Sequence, residues 1–269
     1  DKDTPHVNVP TFVRVFAGGT RAGIINGIVG GAGFMTFPLL VAAGMGEIEA
    51  NASNFVAVLP ANLVGTYAYR SELASVREHL GFRLFLAAVG GILGSSILLY
   101  TGQASFQKAI PWLLLFATLS FSVGPWLKVK LQQHFNFDGT RWMWLSFLLE
   151  FLVYVYGGYF GLGMGILMFT IYALFSHMSL HQANAIRNIT ISLMTLISIA
   201  IFARAGVIRL GPAVVMMSGA IVGSYFSAKV AKRVDPRRVG RGDWGGGIVS
   251  TGCGFGEAMV RRRCPSALP

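Results

Sequence analysis

Cysteine is close to absent. Cys253 and Cys264 stand alone near the C-terminal end, which leaves neither a disulfide framework nor a cysteine-based metal site. Charge is scarce too, at 12% of residues, about half the ~25% of a typical soluble domain. What charge there is leans one way, with 22 Lys and Arg against 11 Asp and Glu. Catalytic constellations are also missing. No nucleophile stands beside a base, no acidic cluster could hold a metal, and no glycine run fits the phosphate-loop pattern G-x-x-x-x-G-K-[ST]. An enzyme is therefore not expected, nor a cofactor, a metal or a nucleic-acid partner.

Apolar sequence is abundant. Hydrophobic residues make up 54% of the 269, and mean hydropathy is +0.59. Runs near the ~20 residues needed to cross a bilayer lie at 13–44, 50–69, 81–100, 110–127, 142–175, 183–203 and 207–228. These seven units predict an all-α polytopic membrane protein with the lipid bilayer as its solvent. The first run leads into a glycine cluster rather than a small-residue cleavage site, so no cleavable signal peptide is expected.

Two of the runs are interrupted by glycine. The first contains Gly27, Gly30, Gly31 and Gly33, followed by Pro38 and Gly44; the second contains Gly157, Gly158, Gly161, Gly163 and Gly165. A glycine weakens a helix interior by roughly 1 kcal/mol relative to alanine. Several together in a lipid-buried run indicate a broken helix, tolerated where the freed backbone faces protein or a water-filled cavity. Setting Asn54 against Asn188, an offset of 134 residues, also aligns Gly27 with Gly161, Gly31 with Gly165 and Arg70 with Arg204. A shift of one residue aligns Ala50-Asn51-Ala52 with Ala183-Asn184-Ala185. The chain thus reads as a first repeat at 1–127, a linker at 128–141, a second repeat at 142–238 and an atypical Gly- and Arg-rich tail at 239–269. Paired broken helices in two halves point to a secondary transporter's binding site.

Orientation follows from the basic residues. If each broken segment returns to its own side, the loops 70–83, 128–141 and 229–241 share one face with twelve Lys and Arg, against four on the other. That asymmetry places the three loops and the C-terminus in the cytoplasm and makes the halves inverted repeats. A second half matching the first would have one more span after residue 241. The only apolar stretch there, 248–260, is short and contains Glu257, so it is read as tail.

Ionisable residues inside apolar runs are costly and tend to serve a pathway. Arg187 opens the second asparagine span beside Asn188, where the first half has Ser53 and Asn54. Helix N-termini carry unpaired N–H groups and a positive dipole end. Half-helices starting near Gly30, Gly31 and Gly33, and near Gly161, Gly163 and Gly165, would aim these at a central cavity. With Ser53, Asn54, Arg187 and Asn188 they form a candidate substrate site for a small anion. Glu150 and Arg21 approach the breaks from within helices and are candidates for an intramembrane ion pair or proton coupling. His177 and His181, four residues apart, read as solvated interfacial residues rather than metal ligands. Trp112, Trp142 and Trp144 read as interfacial anchors.

The blocks Gly30-Gly31-Ala32-Gly33-Phe34, Pro38 to Gly44, Ala50 to Asn54 with Pro60 and Gly65, Gly157 to Gly165, and Ala183 to Asn188 resemble the sulfite exporter TauE/SafE family of membrane permeases. The resemblance covers about 13–238. It departs from the family at Ala32, where members commonly have glycine, and after Arg238, where no final span is recognisable. It implies movement of a small sulfur-containing or organic anion, such as sulfite, a sulfonate or thiosulfate, across a bacterial inner membrane. The expected function is therefore a secondary permease working by alternating access. An anion channel, and more remotely a membrane-embedded enzyme, are the competing readings. Sequence alone leaves the oligomeric state open.

Overall fold

The computed structural model describes residues 9–28, 33–76, 79–134, 140–175 and 178–231. All regular structure among them is helical: α1 (Val9–Ile28), α2 (Gly33–Ala42), α3 (Glu47–Ala68), α4 (Arg70–Ser75), α5 (Leu80–Thr101), α6 (Gln103–His134), α7 (Thr140–Tyr159), α8 (Met164–Phe175), α9 (Leu180–Arg204) and α10 (Leu210–Ala231). Each of the seven apolar runs is helical, the two glycine-broken ones as the pairs α1 and α2, and α7 and α8. The six-residue α4 is additional. It has no apolar run, and its residues are exposed or half-buried. α6 continues to His134, into the segment 128–141 read as a linker. The chain divides into two compact units, 1–229 and 230–269. Most of the second unit, including Cys253, Cys264 and the stretch 248–260, lies outside the described residues.

Glycine sets the second break. Gly161 and Gly163 have φ of 75° and 77°, a left-handed conformation that side chains with a Cβ rarely adopt. The helix ends so exposed find partners from other elements. Asn51 of α3 donates its side-chain amide to the Tyr159 carbonyl at 3.1 Å. The Tyr156 hydroxyl donates to the Leu162 carbonyl at 2.8 Å. Buried carbonyls are thus satisfied across the interruption, as a membrane interior requires. In the first half α1 ends at Ile28 and helix resumes at Gly33; Gly30 and Gly31 lie outside the described residues.

The two asparagine helices, α3 and α9, run antiparallel. Phe55 meets Phe202 edge-on at 5.5 Å, Gly65 lies against the Asn188 amide, and Tyr69 stacks on His181 at 5.8 Å. Position advances along one helix as it recedes along the other. α9 begins with a capping box, in which the Gln182 N–H donates to Ser179 Oγ at 3.3 Å and the Ser179 N–H to Gln182 Oε1 at 2.9 Å. The Gln182 amide also donates to Ser75 Oγ at 3.2 Å, tying α4 to this end.

Two further contacts are lined by small residues. Between α5 and α7, a side chain on Gly94 would strike the backbone of Val155 and Gly158, and one on Gly158 the backbone of Gly91 and Ser95. Between α1 and α10, one on Gly19 would strike the Met216 carbonyl and one on Gly219 the Phe16 carbonyl. Polarity is inverted relative to a soluble domain. Asn51, Asn54, Arg83, Glu150, Arg187 and Asn188 are buried, whereas Phe85, Ile97, Trp112, Leu115, Trp144 and Leu152 are exposed. Among the described residues two helices, Leu80–Thr101 and His181–Arg204, are long and apolar enough to cross a membrane.

Candidate functional site

Both halves contribute to one cavity of about 50 Å³. Gly33, the first residue of α2, forms one wall, and Gly161, Met164 and Gly165, at the break and the start of α8, form another. Asn54 and Asn62 from α3 and Arg187 and Thr195 from α9 supply the polar lining; Asn62 and Thr195 were not among the residues expected from sequence. Phe55, Val58, Ile191 and Met194 supply apolar lining. Five of the residues expected at a substrate site, Gly33, Asn54, Gly161, Gly165 and Arg187, therefore meet in space, although 154 positions of sequence separate the first from the last.

Asn54 is held in a defined orientation. Its Oδ1 accepts from the Thr36 hydroxyl of α2, which leaves the amide nitrogen as the end that can donate elsewhere. That nitrogen lies 3.6 Å from where a Cβ on Gly33 would sit, so a larger residue there would crowd it. Thr36 is itself fully buried, and the bond therefore joins α2 to α3 out of contact with solvent.

Arg187 is 2% exposed. Its Nη2 donates to the Asn188 Oδ1 at 3.2 Å, and its guanidinium lies 4.5 Å above the centre of the Phe169 ring of α8. A guanidinium held against an aromatic face presents its N–H donors in a planar fork, a geometry that suits an oxyanion. Thr190, one turn on, donates its hydroxyl to the Arg187 carbonyl at 3.1 Å and to the Ile186 carbonyl at 2.9 Å. The hydroxyl is consumed by its own helix.

The remaining expected residues lie elsewhere. Ser53 is buried, but its Oγ accepts from the Arg209 backbone N–H at 2.9 Å, fixing the α9–α10 connection to α3. Asn188 reaches the cavity through Arg187. Gly163 sets the turn into α8 by its backbone angle, and its carbonyl accepts from Ile166 at 3.0 Å. Arg21 is exposed on α1. The cation beside Glu150 is Arg83, not Arg21: Arg83 Nη1 stands 2.7 Å from Glu150 Oε1, with both side chains buried. His181 stacks on Tyr69, and His177 lies outside the described residues. No group of three or more His, Cys, Asp or Glu fit for a metal occurs among the described residues.

Arg83 was counted with a cytoplasmic loop because it opens an apolar run, and 67 positions separate it from Glu150. Nothing in the linear order pairs them. Two buried tyrosines accompany the pair. The Arg83 guanidinium lies 5.0 Å from the Tyr172 ring centre, and Ser146 donates to Glu150 Oε1 at 3.0 Å. In sequence Tyr154 and Tyr172 are indistinguishable from other aromatic residues of an apolar helix.

Comparison with known proteins agrees with this architecture. The family profile described as Sulfite exporter TauE/SafE matches residues 15–242. A Haemophilus influenzae protein named "Probable membrane transporter protein" is 27% identical over 225 residues, covering 83% of this chain and 86% of that protein. The Escherichia coli K12 "Probable membrane transporter protein YfcA" is 29% identical over 105 residues, 39% of each chain. No solved structure matches the chain at a significant level. The resemblance read from the glycine and asparagine blocks holds over nearly the whole span expected of it, and the chain belongs to the sulfite exporter TauE/SafE family.

Proposed function

We propose that this membrane transporter is a secondary permease that carries a small anion, sulfite or a related organosulfur anion, by alternating access. The observation that carries the reading is the cavity, because it is built from both interrupted segments at once and contains a buried arginine beside a fixed amide. A buried cation is costly in a membrane interior, and an anion bound against Arg187 offsets that cost. Size agrees as well. A water needs at least ~10–15 Å³ of cavity in the same measure, so about 50 Å³ admits roughly four such volumes, close to the bulk of one small oxyanion.

Alternating access is supported by the antiparallel α3 and α9, which suit halves of opposite orientation. It is supported also by the recurrence of a glycine-lined contact at α5–α7 and at α1–α10. The division into repeats at 1–127 and 142–238 accommodates both features. The exposed apolar side chains fit a lipid environment, and the basic loops fit an inner-membrane location with residues beyond 230 on the cytoplasmic side.

The test is binding of radiolabelled sulfite to the purified protein. Arg187→Lys keeps the charge but loses the planar fork, and affinity should fall by roughly 1–3 kcal/mol, the order of one or two charge-assisted hydrogen bonds. Wild-type affinity in a folded Arg187→Lys protein would remove Arg187 from the site.

A further inference from the structure

Away from the cavity, the membrane-buried part of the protein contains a second polar centre that anion binding does not use. Glu150 on α7 is fully buried and does not line the cavity. Its Oε1 accepts from Arg83 Nη1 of α5 at 2.7 Å and from Ser146 Oγ at 3.0 Å. Its Oε2 has no such partner. Two neighbouring hydroxyls, Tyr172 from α8 and Tyr154 from α7, are also buried without a well-formed hydrogen bond, within reach of one another and of the carboxylate. Buried polar atoms are normally satisfied, and each exception calls for a cause. Here four such atoms, Glu150 Oε2, Arg83 Nε and the two tyrosine hydroxyls, gather around one ion pair.

We propose that Glu150 is a proton-binding site that couples anion movement to a proton gradient, exchanging its ion pair with Arg83 for a proton. The inference rests on the permease reading above. A proton arriving from water adds to the free Oε2 and gives a neutral carboxyl. The Arg83 guanidinium stays charged, so the centre passes from net zero to one positive charge. An anion in the cavity favours that change, and the change favours the anion, by simple linkage.

The structure supplies the mechanical connection. α8 starts at the cavity wall with Met164 and Gly165, carries Phe169 against the Arg187 guanidinium, and carries Tyr172 against Arg83. It is hinged at Gly161 and Gly163. One short helix therefore touches both the cation of the substrate site and the cation of the proton site. The groups facing this centre are Arg83 from α5, Tyr172 from α8, and Ser146 and Tyr154 from α7. Arg187 and Thr190 of α9 lie beyond the tyrosines, and His79 rests edge-on against Phe147 at 5.7 Å.

The experiment uses the whole protein in sealed proteoliposomes, with radiolabelled sulfite at pH 7.5 and protein-free vesicles as the blank. Two rates are measured: exchange of sulfite against internal sulfite with no gradient, and net accumulation under an imposed pH gradient. Wild type should show both. Glu150→Gln cannot change charge, so accumulation should fall at least tenfold while exchange stays within about threefold, and Glu150→Asp should restore part of the accumulation. If Glu150→Gln does not fold, Arg83→Gln combined with Glu150→Gln removes the pair together and should give the same split, with Tyr172→Phe intermediate. Wild-type exchange without any response to the pH gradient overturns the proton site and leaves the permease intact. Equal loss of exchange and accumulation in the variants that fold also overturns it. Absence of sulfite exchange in wild type overturns the permease reading itself, and the proton site falls with it.

Discussion

The two halves of the sequence share a pattern of glycine and asparagine and differ in the residues set around it. In the register that pairs Asn54 with Asn188, the partner of Arg187 is Ser53, the partner of Glu150 is Phe16 and the partner of Arg83 is Met217. Where the second half places a buried guanidinium, the first places a hydroxyl that clamps the Arg209 backbone. Where α5 and α7 enclose an ion pair, the corresponding α1 and α10 carry two apolar residues. Neighbours differ as well: α2 packs on α1 and α3, whereas α8 packs on α7, α9 and additionally α6. Residues of both halves line the cavity, and its charged side chain, Arg187, comes from the second.

The largest effect should come from the break itself. Gly163→Leu forces a side chain onto a backbone at φ 77°, and transport should drop by roughly a hundredfold or more, because strain of about 1–3 kcal/mol falls where α8 must begin. Gly44 follows α2 in the first half with φ 93° and open space around it. Gly44→Ala should keep most of the sulfite flux. Equal losses in the two variants would show that any left-handed glycine matters and that the second break is not special.

The ion pair offers the next test, in which the second half is rewritten as the first. Arg83→Met alone strands Glu150 and should destabilise the protein by about 3–5 kcal/mol. Adding Glu150→Phe reproduces the Met217 and Phe16 pair of the other contact and should recover most of that loss. Unfolding in detergent measures both. A double variant no more stable than the single one would mean that the ion pair, not the helix packing, holds α5 to α7.

The smallest effect is expected at Ser53. Ser53→Ala removes one hydrogen bond to a backbone N–H near the surface, about 1 kcal/mol, and should leave sulfite affinity unchanged. A fall in affinity as large as that of Arg187→Lys would make Ser53 a cavity residue after all, and the two halves more alike than the contacts indicate.

Most of the frame was legible in the sequence because bilayer-length apolar runs and clustered glycines are signals that act within one segment. The seven runs and the helix ends at both breaks follow from them. The cavity was half legible. Gly33, Asn54, Gly161, Gly165 and Arg187 stand out as polar or helix-breaking residues in apolar surroundings, but Ser53 stands out equally and is spent on the Arg209 backbone. The partner of Glu150 was not legible. Arg21 is nearer to a glycine break in sequence, while Arg83 opens a run next to a basic loop and looks solvated. Only packing of α5 on α7 brings Arg83 inward, and that packing is set by Gly90, Gly91, Gly94 and Gly158 across the interface. The short α4 escaped for a different reason, since six residues without a buried face carry no periodic signal.

The glycine-lined contacts have a consequence for how the helices move past one another. Where α3 meets α9, large side chains such as Phe55 and Phe202 interlock, and under the proposed alternating access a displacement there would proceed by whole steps from one set of pockets to the next, as gears do. Where α5 meets α7 and α1 meets α10, backbone lies on backbone. At the glycines no rotamer would have to be reset for a small slide, so under the proposed alternating access these stretches would serve as bearings, with the Arg83–Glu150 pair and the Phe82–Phe147 contact at α5–α7 moving along. Packed helices shear by small displacements of this kind. In the proposed transport cycle the geared contact at the cavity would fix where the motion stops, and the two bearings would let the rest of the molecule follow.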